Sequence, residues 1–166
     1  MNQAGQTIHT SNIDLIVYDF DGVMTGNNVI VFQDGTEAVI VSRADGLGVG
    51  LIRDMGIPQL ILSTETNPVV KARANKLHLE VIASCADKGH TLREYCAQKR
   101  YPLSRVMYVG NDLNDLEAIK IVGFPIAPAD ANPDIKALAK LVTKAKGGEG
   151  VIRELADIIT RENIPE

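Results

Sequence analysis

The sequence has no tryptophan, and its 166 residues include only three phenylalanines and four tyrosines. A surface that stacks the bases of single-stranded nucleic acid needs aromatic side chains. Acidic and basic residues are interspersed and give a formal charge of −4, so the chain offers no wide basic field to a phosphate backbone. We therefore expect no nucleic-acid partner, whereas small ligands remain open.

Cysteine is scarce, and long apolar runs are missing. Cys85 and Cys96 lie eleven residues apart, and three scattered histidines complete no metal-binding spacing, which argues against zinc and against a disulfide framework. No stretch approaches the roughly 18 apolar residues of a membrane helix. The polar start M-N-Q-A-G-Q-T-I-H-T-S-N also lacks the pattern of a secretory signal. These absences predict a soluble, cytoplasmic protein with no membrane partner.

The chain alternates between β-rich and helical segments. Hydrophobic residues make up 45% of it, enough for one core, and we expect a single domain over residues 1–166. Strands are predicted at 13–18, 59–62, 105–109 and 141–143, and helices at 45–55, 67–77, 87–99 and 111–121. The alternation favours an α/β, Rossmann-like fold, with a mostly parallel sheet and helices on both faces. Ligands bind such sheets at the carboxyl ends of the strands.

One segment at about 28–42 interrupts this alternation. The runs V-I-V-F and A-V-I-V flank an Asp34-Gly35 turn, which predicts a β-hairpin. Its apolar residues are consecutive, which a ribbon surrounded by solvent does not need. We expect another subunit to cover the hairpin.

Two carboxylates, Asp19 and Asp21, directly follow the first strand in D-F-D-G-V-M-T. On extended backbone their side chains can point the same way, and Mg²⁺ would offset their repulsion. One carboxylate can attack phosphorus while the other transfers protons. The plain alternative for this pair is an Asx turn that closes a strand.

A second acidic loop, G-N-D-L-N-D, follows the predicted strand at 105–109 and carries Asp112 and Asp115. These residues could be helix caps, but two acidic strand-end loops favour one shared cation. Ser63 and Thr64 follow the strand at 59–62 and could bind phosphate or simply cap a helix. Lys88 could supply the positive charge that a phosphate dianion needs, although a single lysine at a helix start is usually solvated.

The order of D-F-D-G-V-M-T, Ser63-Thr64, Lys88 and G-N-D-L-N-D resembles the haloacid dehalogenase superfamily of phosphatases over nearly the whole chain. The resemblance implies that Asp19 is the nucleophile and Asp21 the acid/base. It also implies Mg²⁺ as cofactor. Further implied roles are phosphate binding by Ser63, Thr64 and Lys88, metal binding by Asp19, Asp21 and Asp112, and support of these groups by Asn111 and Asp115.

Only the hairpin stands where many members of this superfamily carry a cap domain. The chain is similar to the capless 3-deoxy-D-manno-octulosonate 8-phosphate phosphatase group, related to sialic-acid-type 9-phosphate phosphatases, through R-A-D-G-L-G, K-A-R-A-N-K-L and G-G-E-G-V-I-R-E-L. The resemblance implies a homotetramer in which neighbours close each site, with the glycine-rich turn reaching an adjacent one. It also implies a phosphorylated sugar acid as substrate, contacted by Thr25, Arg43 and Arg73.

The second motif departs from that group, which commonly has T-G-R or S-G-R where this chain has Ser63-Thr64-Glu65. S-T-E-T-N-P-V-V also resembles the phosphatase-like domains joined to sialic-acid cytidylyltransferases. A nonulosonate 9-phosphate therefore competes with an octulosonate 8-phosphate as the substrate. A noncatalytic regulatory module associated with a nucleotide-sugar synthetase is the alternative outside enzymes. A receiver domain fits less well, because its phosphorylated aspartate follows a later strand.

Overall fold

The computed structural model describes residues 8–161, whose centre is a parallel sheet of six strands. The strand order is β5-β4-β1-β6-β7-β8, and every neighbouring pair is parallel. The strands are β1 (Leu15–Tyr18), β4 (Gln59–Leu62), β5 (Glu80–Ile82), β6 (Val106–Val109), β7 (Phe124–Ala127) and β8 (Leu141–Val142). The predicted α/β fold is confirmed.

Six helices connect or follow the strands: α1 (Arg43–Asp54), α2 (Val69–Leu77), α3 (Lys88–Lys99), α4 (Leu116–Ile121), α5 (Pro133–Leu138) and α6 (Val151–Arg161). Local sequence signals start several of them. The Ser42 hydroxyl accepts from the Ala44 amide at α1, and the Asp87 carboxylate accepts from the His90 amide at α3. Each side chain satisfies an amide that the first helical turn leaves unpaired.

The sheet has helices on both faces because its central strands are apolar at every position. In β1, Ile16 and Tyr18 join the core formed with α1, α2 and α6, whereas Leu15 and Val17 join the core formed with α3, α4 and α5. Successive side chains of a strand point to opposite faces, so four consecutive buried residues require cover on both. No helix among residues 8–161 is long and apolar enough to cross a membrane.

The predicted hairpin forms a separate two-stranded antiparallel sheet of β2 (Ile30–Val31) and β3 (Glu37–Ala38). Most of its apolar side chains are exposed within this chain, whereas Val39 and Val41 pack against the core. Val31 has 64% and Ile40 74% of its surface open to solvent, and Val29, Ile30 and Phe32 are about half exposed. The hairpin therefore projects an apolar surface from the rim of the sheet.

Candidate active site

Three neighbouring strands, β4, β1 and β6, end at the same edge of the sheet and lead into polar loops. Asp19 directly follows β1, Ser63 follows β4, and Asn111 follows β6 after one glycine. Because parallel strands share their carboxyl edge, these residues meet although they are far apart in sequence. Lys88, the first residue of α3, reaches the same place from a fourth loop.

Lys88 joins two of these loops through buried ion pairs. Its Nζ lies 2.7 Å from Asp19 Oδ1 and 2.7 Å from Asp115 Oδ1, and its side chain is inaccessible to solvent. A lone surface lysine would leave its ammonium group in water. The structure therefore brings together three of the residues that the sequence singled out.

Asp115 is fixed by more contacts than its pair with Lys88. Its Oδ1 accepts a 2.6 Å hydrogen bond from the Tyr108 hydroxyl, and its Oδ2 accepts from the amides of Asn111 (2.8 Å) and Asp112 (3.3 Å). The sequence did not indicate a role for Tyr108, because a tyrosine within a buried strand has the pattern of any core residue.

The electrostatics of the buried group follow from this packing. Burial raises the pKa of Asp19 to about 8, and the nearby Asp115 charge adds to the effect while Lys88 opposes it. Burial lowers the pKa of Lys88, but the carboxylates of Asp19 and Asp115 outweigh burial and hold it above its usual value. Lys88 is therefore positively charged. It stabilises the ionised form of Asp19, which burial and the Asp115 charge destabilise.

Asp21 lies beside Asp19 in a more open position. Burial, followed by repulsion from Glu65, raises the pKa of Asp21, and the Thr25 hydroxyl opposes this by donating to Asp21 Oδ1 over a long 3.5 Å. A raised pKa favours the protonated form of a carboxyl group, the form that a general acid needs.

The Asn111 side chain lies between the two aspartates. One of its two terminal amide atoms is 3.2 Å from Asp19 Oδ2 and 2.9 Å from the main-chain oxygen of Asp21. If that atom is the amide nitrogen, Asn111 donates to both oxygens. If it is the oxygen, three oxygens converge, which requires a cation and suits Mg²⁺. Gly22 permits this approach, since a Cβ there would lie 1.9 Å from Asn111 Nδ2.

Asp112 lies at the start of the helical turn Leu113–Asp115, in the loop after β6. Its carboxylate is exposed and accepts from the amide of Leu113 (2.7 Å), which satisfies the start of the following helical turn. Within residues 8–161, no three Asp, Glu, His or Cys side chains form a group that could hold a metal ion. Asp112 lines the same cavity as Asp19 and Asp21, and its role as a metal ligand stays a prediction. Asn111, one residue closer to the strand, lies against Asp19 and the Asp21 carbonyl and is a further candidate.

Ser63 and Thr64 have separate positions. Ser63 is buried, and its hydroxyl accepts from the Glu65 amide at 3.1 Å, which closes a turn within the loop. Ser63 does not cap a helix, because α2 begins only at Val69. Thr64 is exposed and lines a cavity of about 290 Å³. This cavity is bounded by Asp19, Asp21, Asn27, Thr64 and Asn111, together with Asp112, Leu113 and Asn114.

A second cavity of about 270 Å³ shares Asp21 and Asn27 with the first and extends towards the hairpin. Glu37 of β3 and Asn67 of the loop after β4 face each other there, with Asn67 Nδ2 donating to Glu37 Oε2 at 3.0 Å. Glu65 lines the same cavity. Sequence reasoning missed Glu37 and Asn67, since only the fold shows that the hairpin borders the site.

The three residues expected to contact substrate lie outside both cavities of this chain. Thr25 is buried inside its own loop, and Arg43 is exposed at the start of α1. Arg73 donates to the Ser42 carbonyl at 2.9 Å. A role for Arg43 or Arg73 at an active site thus stays a prediction that requires a neighbouring chain.

A parallel α/β sheet that brings Asp19, Asp21, Lys88 and Asp115 together at its carboxyl edge defines a hydrolase of the haloacid dehalogenase type. The profile of the family described as haloacid dehalogenase-like hydrolase matches residues 61–155. The chain belongs to this family.

Three individual proteins are similar to this chain over most of its length. The chain is 31% identical over 150 residues to the 3-deoxy-D-manno-octulosonate 8-phosphate phosphatase of Yersinia pestis, covering 90% of this chain and 80% of that protein. A crystal structure from Streptomyces avermitilis, described as a HAD family hydrolase, matches with a TM-score of 0.91, 44% identity and coverage of 93% and 89%. The Moraxella catarrhalis 3-deoxy-D-manno-octulosonate 8-phosphate phosphatase, in complex with magnesium, phosphate and KDO, has a TM-score of 0.87, 29% identity and coverage of 91% and 87%.

Proposed function

We propose that this protein is a magnesium-dependent phosphatase of a phosphorylated sugar acid, with 3-deoxy-D-manno-octulosonate 8-phosphate as the first candidate substrate. The observation that carries the proposal is the buried contact of Asp19 with Lys88 at the wall of an open cavity. The relatives from Yersinia pestis and Moraxella catarrhalis, both named for that reaction, support the choice of substrate.

Asp19 and Asp21 divide the chemistry. A carboxylate oxygen of Asp19 attacks phosphorus while the bond to the sugar oxygen breaks, and protonated Asp21 gives its proton to the leaving oxygen. The products of this step are the sugar alcohol and an aspartyl-phosphate. Asp21, now ionised, takes a proton from water, the water oxygen attacks phosphorus, and Asp19 is released with inorganic phosphate.

Other residues hold the anion and the metal ion. Lys88 places its positive charge beside the Asp19 carboxylate, which receives the phosphoryl group. Thr64 and the backbone after Ser63 contact the phosphate oxygens. Asp19, the Asp21 carbonyl and Asn111 would hold Mg²⁺. When bound, Mg²⁺ neutralises charge on the transferred phosphoryl group.

A second candidate substrate is a nonulosonate 9-phosphate. Glu65 lines the cavity beside Asp21, at the place where the eight-carbon group commonly carries arginine in its second motif. Neither cavity of this chain is lined by an arginine or a lysine among residues 8–161. Glu37 and Glu65 suit hydroxyl groups of the sugar, and a carboxylate of either substrate would need Arg43 or Arg73 of a neighbouring chain.

We also propose a homotetramer located in the cytoplasm. The exposed apolar side chains of the hairpin support assembly, because such a surface on a short two-stranded ribbon is normally covered. In the glycine-rich turn at residues 147–150, Gly147 and Gly148 pack against residues 22–26 of their own chain, and Glu149 is exposed. A contact of this turn with a neighbouring site stays a prediction.

The deciding experiment measures phosphate release with Mg²⁺ from the eight-carbon and the nine-carbon acid-sugar phosphates and from simple hexose phosphates. We expect one acid sugar to exceed the hexose phosphates in kcat/KM by at least about tenfold, a difference of about 1.4 kcal/mol. Asp19→Asn should abolish turnover and leave the melting temperature close to that of wild type. Equal, weak activity on all esters would remove the acid-sugar assignment. Retained, magnesium-dependent activity of Asp19→Asn would defeat the assignment of Asp19 as nucleophile, and the absence of phosphate release from every ester would favour the noncatalytic module.

A further inference from the structure

The segment 144–150, here called the glycine strap, lies between β8 and α6 and packs on the loop at residues 22–26, which directly follows Asp21. Its first amides are held by α6, since the Glu154 carboxylate accepts from the amides of Lys144 (2.9 Å) and Ala145 (2.8 Å). A carboxylate that accepts two main-chain amides fixes the backbone of both residues. The strap therefore begins in a defined position.

Its middle is held by a carboxylate from another loop. Asp130, in the loop after β7, accepts from the amide of Gly147 through Oδ1 at 2.9 Å. Gly147 is buried, whereas Asp130 is exposed on its outer side. Without this acceptor the buried amide would be unpaired, at a cost of about 1–3 kcal/mol, or the strap would have to move.

The strap packs on the backbone of the loop that carries Asp21. The Gly148 amide donates to the Val23 carbonyl at 2.9 Å. A Cβ on Gly147 would lie 2.2 Å from the oxygen of Gly22 and 2.8 Å from that of Thr25. Gly148 has φ +73°, and a Cβ there would lie 2.5 Å from the amide nitrogen of the following loop residue, at position 26. Two glycines are needed because backbone meets backbone here.

Thr25 connects the strap to the carboxyl group of Asp21. Its backbone lies under the strap, and its buried hydroxyl accepts from the amides of Gly22 (3.2 Å) and Asn27 (3.3 Å). The same hydroxyl donates to Asp21 Oδ1 at 3.5 Å. A shift of the Thr25 backbone therefore moves the only described side-chain hydrogen bond that Asp21 accepts among residues 8–161.

We propose that Asp130 is a positioning residue for the phosphatase reaction, acting through the hydrogen bond to Gly147 and the contact of the strap with Thr25 to orient Asp21 for proton transfer. The proposal rests on the proposed function and adds a residue that touches neither metal nor phosphate. It makes the loop after β7 part of the active-site structure.

The test compares two phosphate esters. A sugar phosphate loses an alkoxide, which must be protonated, whereas p-nitrophenyl phosphate loses a stable phenolate, which need not be. Since kcat/KM covers the steps through departure of the first product, it reports protonation only for the sugar ester. For Asp130→Ala we expect kcat/KM to fall about tenfold to a hundredfold on the sugar phosphate, and less than about threefold on p-nitrophenyl phosphate.

Two variants act as controls. Asp130→Asn keeps an oxygen that can accept from the Gly147 amide and should restore kcat/KM on the sugar phosphate to within about threefold of wild type. Asp134→Ala removes a nearby exposed carboxylate and should match wild type on both esters. Equal losses on both esters for Asp130→Ala, or a failure of Asp130→Asn to restore the rate, would overturn the proposal.

Amide hydrogen exchange tests the mechanical link without any substrate. Asp130→Ala should increase exchange at Gly147, Gly148 and Thr25 at least about tenfold, and Asp130→Asn should not. Unchanged exchange in Asp130→Ala overturns the positioning role. If the wild-type protein hydrolyses neither ester, the proposed function fails, while the exchange result still decides whether Asp130 holds the strap against the Asp21 loop.

Discussion

The ammonium group of Lys88 lies 2.7 Å from the carboxylate of Asp19, and both side chains are at least 95% shielded from solvent. The pair is asymmetric, because Lys88 has a second carboxylate partner in Asp115, whereas Asp19 faces the cavity with its other oxygen. A buried cation with two anionic neighbours is held in one place, which keeps Asp19 aligned while its second oxygen approaches phosphorus. Stability and activity therefore depend on the same lysine.

Replacing Lys88 by methionine should abolish phosphatase activity and lower the free energy of unfolding by about 3–5 kcal/mol, since two buried carboxylates lose their partner. Urea denaturation followed by circular dichroism measures the loss. Lys120→Met is the matched control, because Lys120 pairs with Glu117 on the surface and should cost less than about 1 kcal/mol.

The double variant Lys88→Met, Asp19→Asn distinguishes charge from packing. It removes one of the two carboxylates that Lys88 neutralises and should be more stable than Lys88→Met alone. If the single and double variants have the same free energy of unfolding, the loss comes from packing and the electrostatic explanation is wrong.

Substitutions of Asn111 and of Asp112 should have different effects on the affinity for Mg²⁺. Asn111→Ala removes the side chain that lies against Asp19 Oδ2 and the Asp21 carbonyl, so the dissociation constant for Mg²⁺ should rise at least about tenfold. Asp112→Asn keeps the contact with the Leu113 amide and should change it less than about threefold. Titration calorimetry measures both constants.

Asn111→Asp adds a negative charge at the same position and should tighten Mg²⁺ binding, because hard cations prefer carboxylate oxygens. Weakened binding in Asp112→Asn together with normal binding in Asn111→Ala would restore the assignment that the sequence suggested.

The sequence was sufficient for the fold class and for the central strands. β1 and β6 are buried at every position, β4 is apolar after Gln59, and all three strands end in polar loops. It did not reveal β5 or β7. The first has only three residues, and the second contains Pro125, which argues against a strand when it is read without its neighbours. Helix α6 was recognised as a motif but not as a helix.

For the site, the pattern of motifs predicted which loops meet, and the structure brings Asp19, Lys88 and Asp115 into contact. The contact of Asn111 with Asp19 and the Asp21 carbonyl was beyond the sequence, since neighbouring residues of a loop point in different directions and residue type favoured the carboxylate of Asp112. The contact of Asp130 with Gly147 could not be predicted from the sequence either, because Gly147 offers only a main-chain amide.

Single substitutions at the exposed apolar side chains of the hairpin should change the oligomeric state of the protein. Ile40→Glu places a charge on the most exposed large apolar side chain of the hairpin and should convert the proposed tetramer into a smaller species in sedimentation velocity. Leu138→Glu, on an exposed position at the end of α5, should leave the mass unchanged. A monomeric wild-type protein, or an Ile40→Glu variant of unchanged mass, would contradict this use of the hairpin.

Asp45 predicts a pH dependence of stability. This buried residue of α1 accepts from the amides of Ile152 (2.8 Å) and Arg153 (3.1 Å) through Oδ1, while its Oδ2 has no hydrogen-bond partner among the residues that the structure describes. Burial raises the pKa of Asp45, and the two amides and Arg73 offset this only in part. The folded protein therefore binds the Asp45 proton more tightly than the unfolded chain does.

By linkage, the contribution of protonated Asp45 is fully present below the pKa of the unfolded chain, near 3.8, and is lost as the pH rises through the higher folded pKa. Asp45→Asn keeps an acceptor for both amides and cannot ionise. Its stability relative to wild type should therefore increase as the pH rises from about 3.5 to 7, measured by urea denaturation at each pH. Asp54→Asn, at an exposed position of the same helix, should show no such trend. A constant or falling difference between Asp45→Asn and wild type would mean that the amides and Arg73 stabilise the charged form enough to cancel the cost of burial.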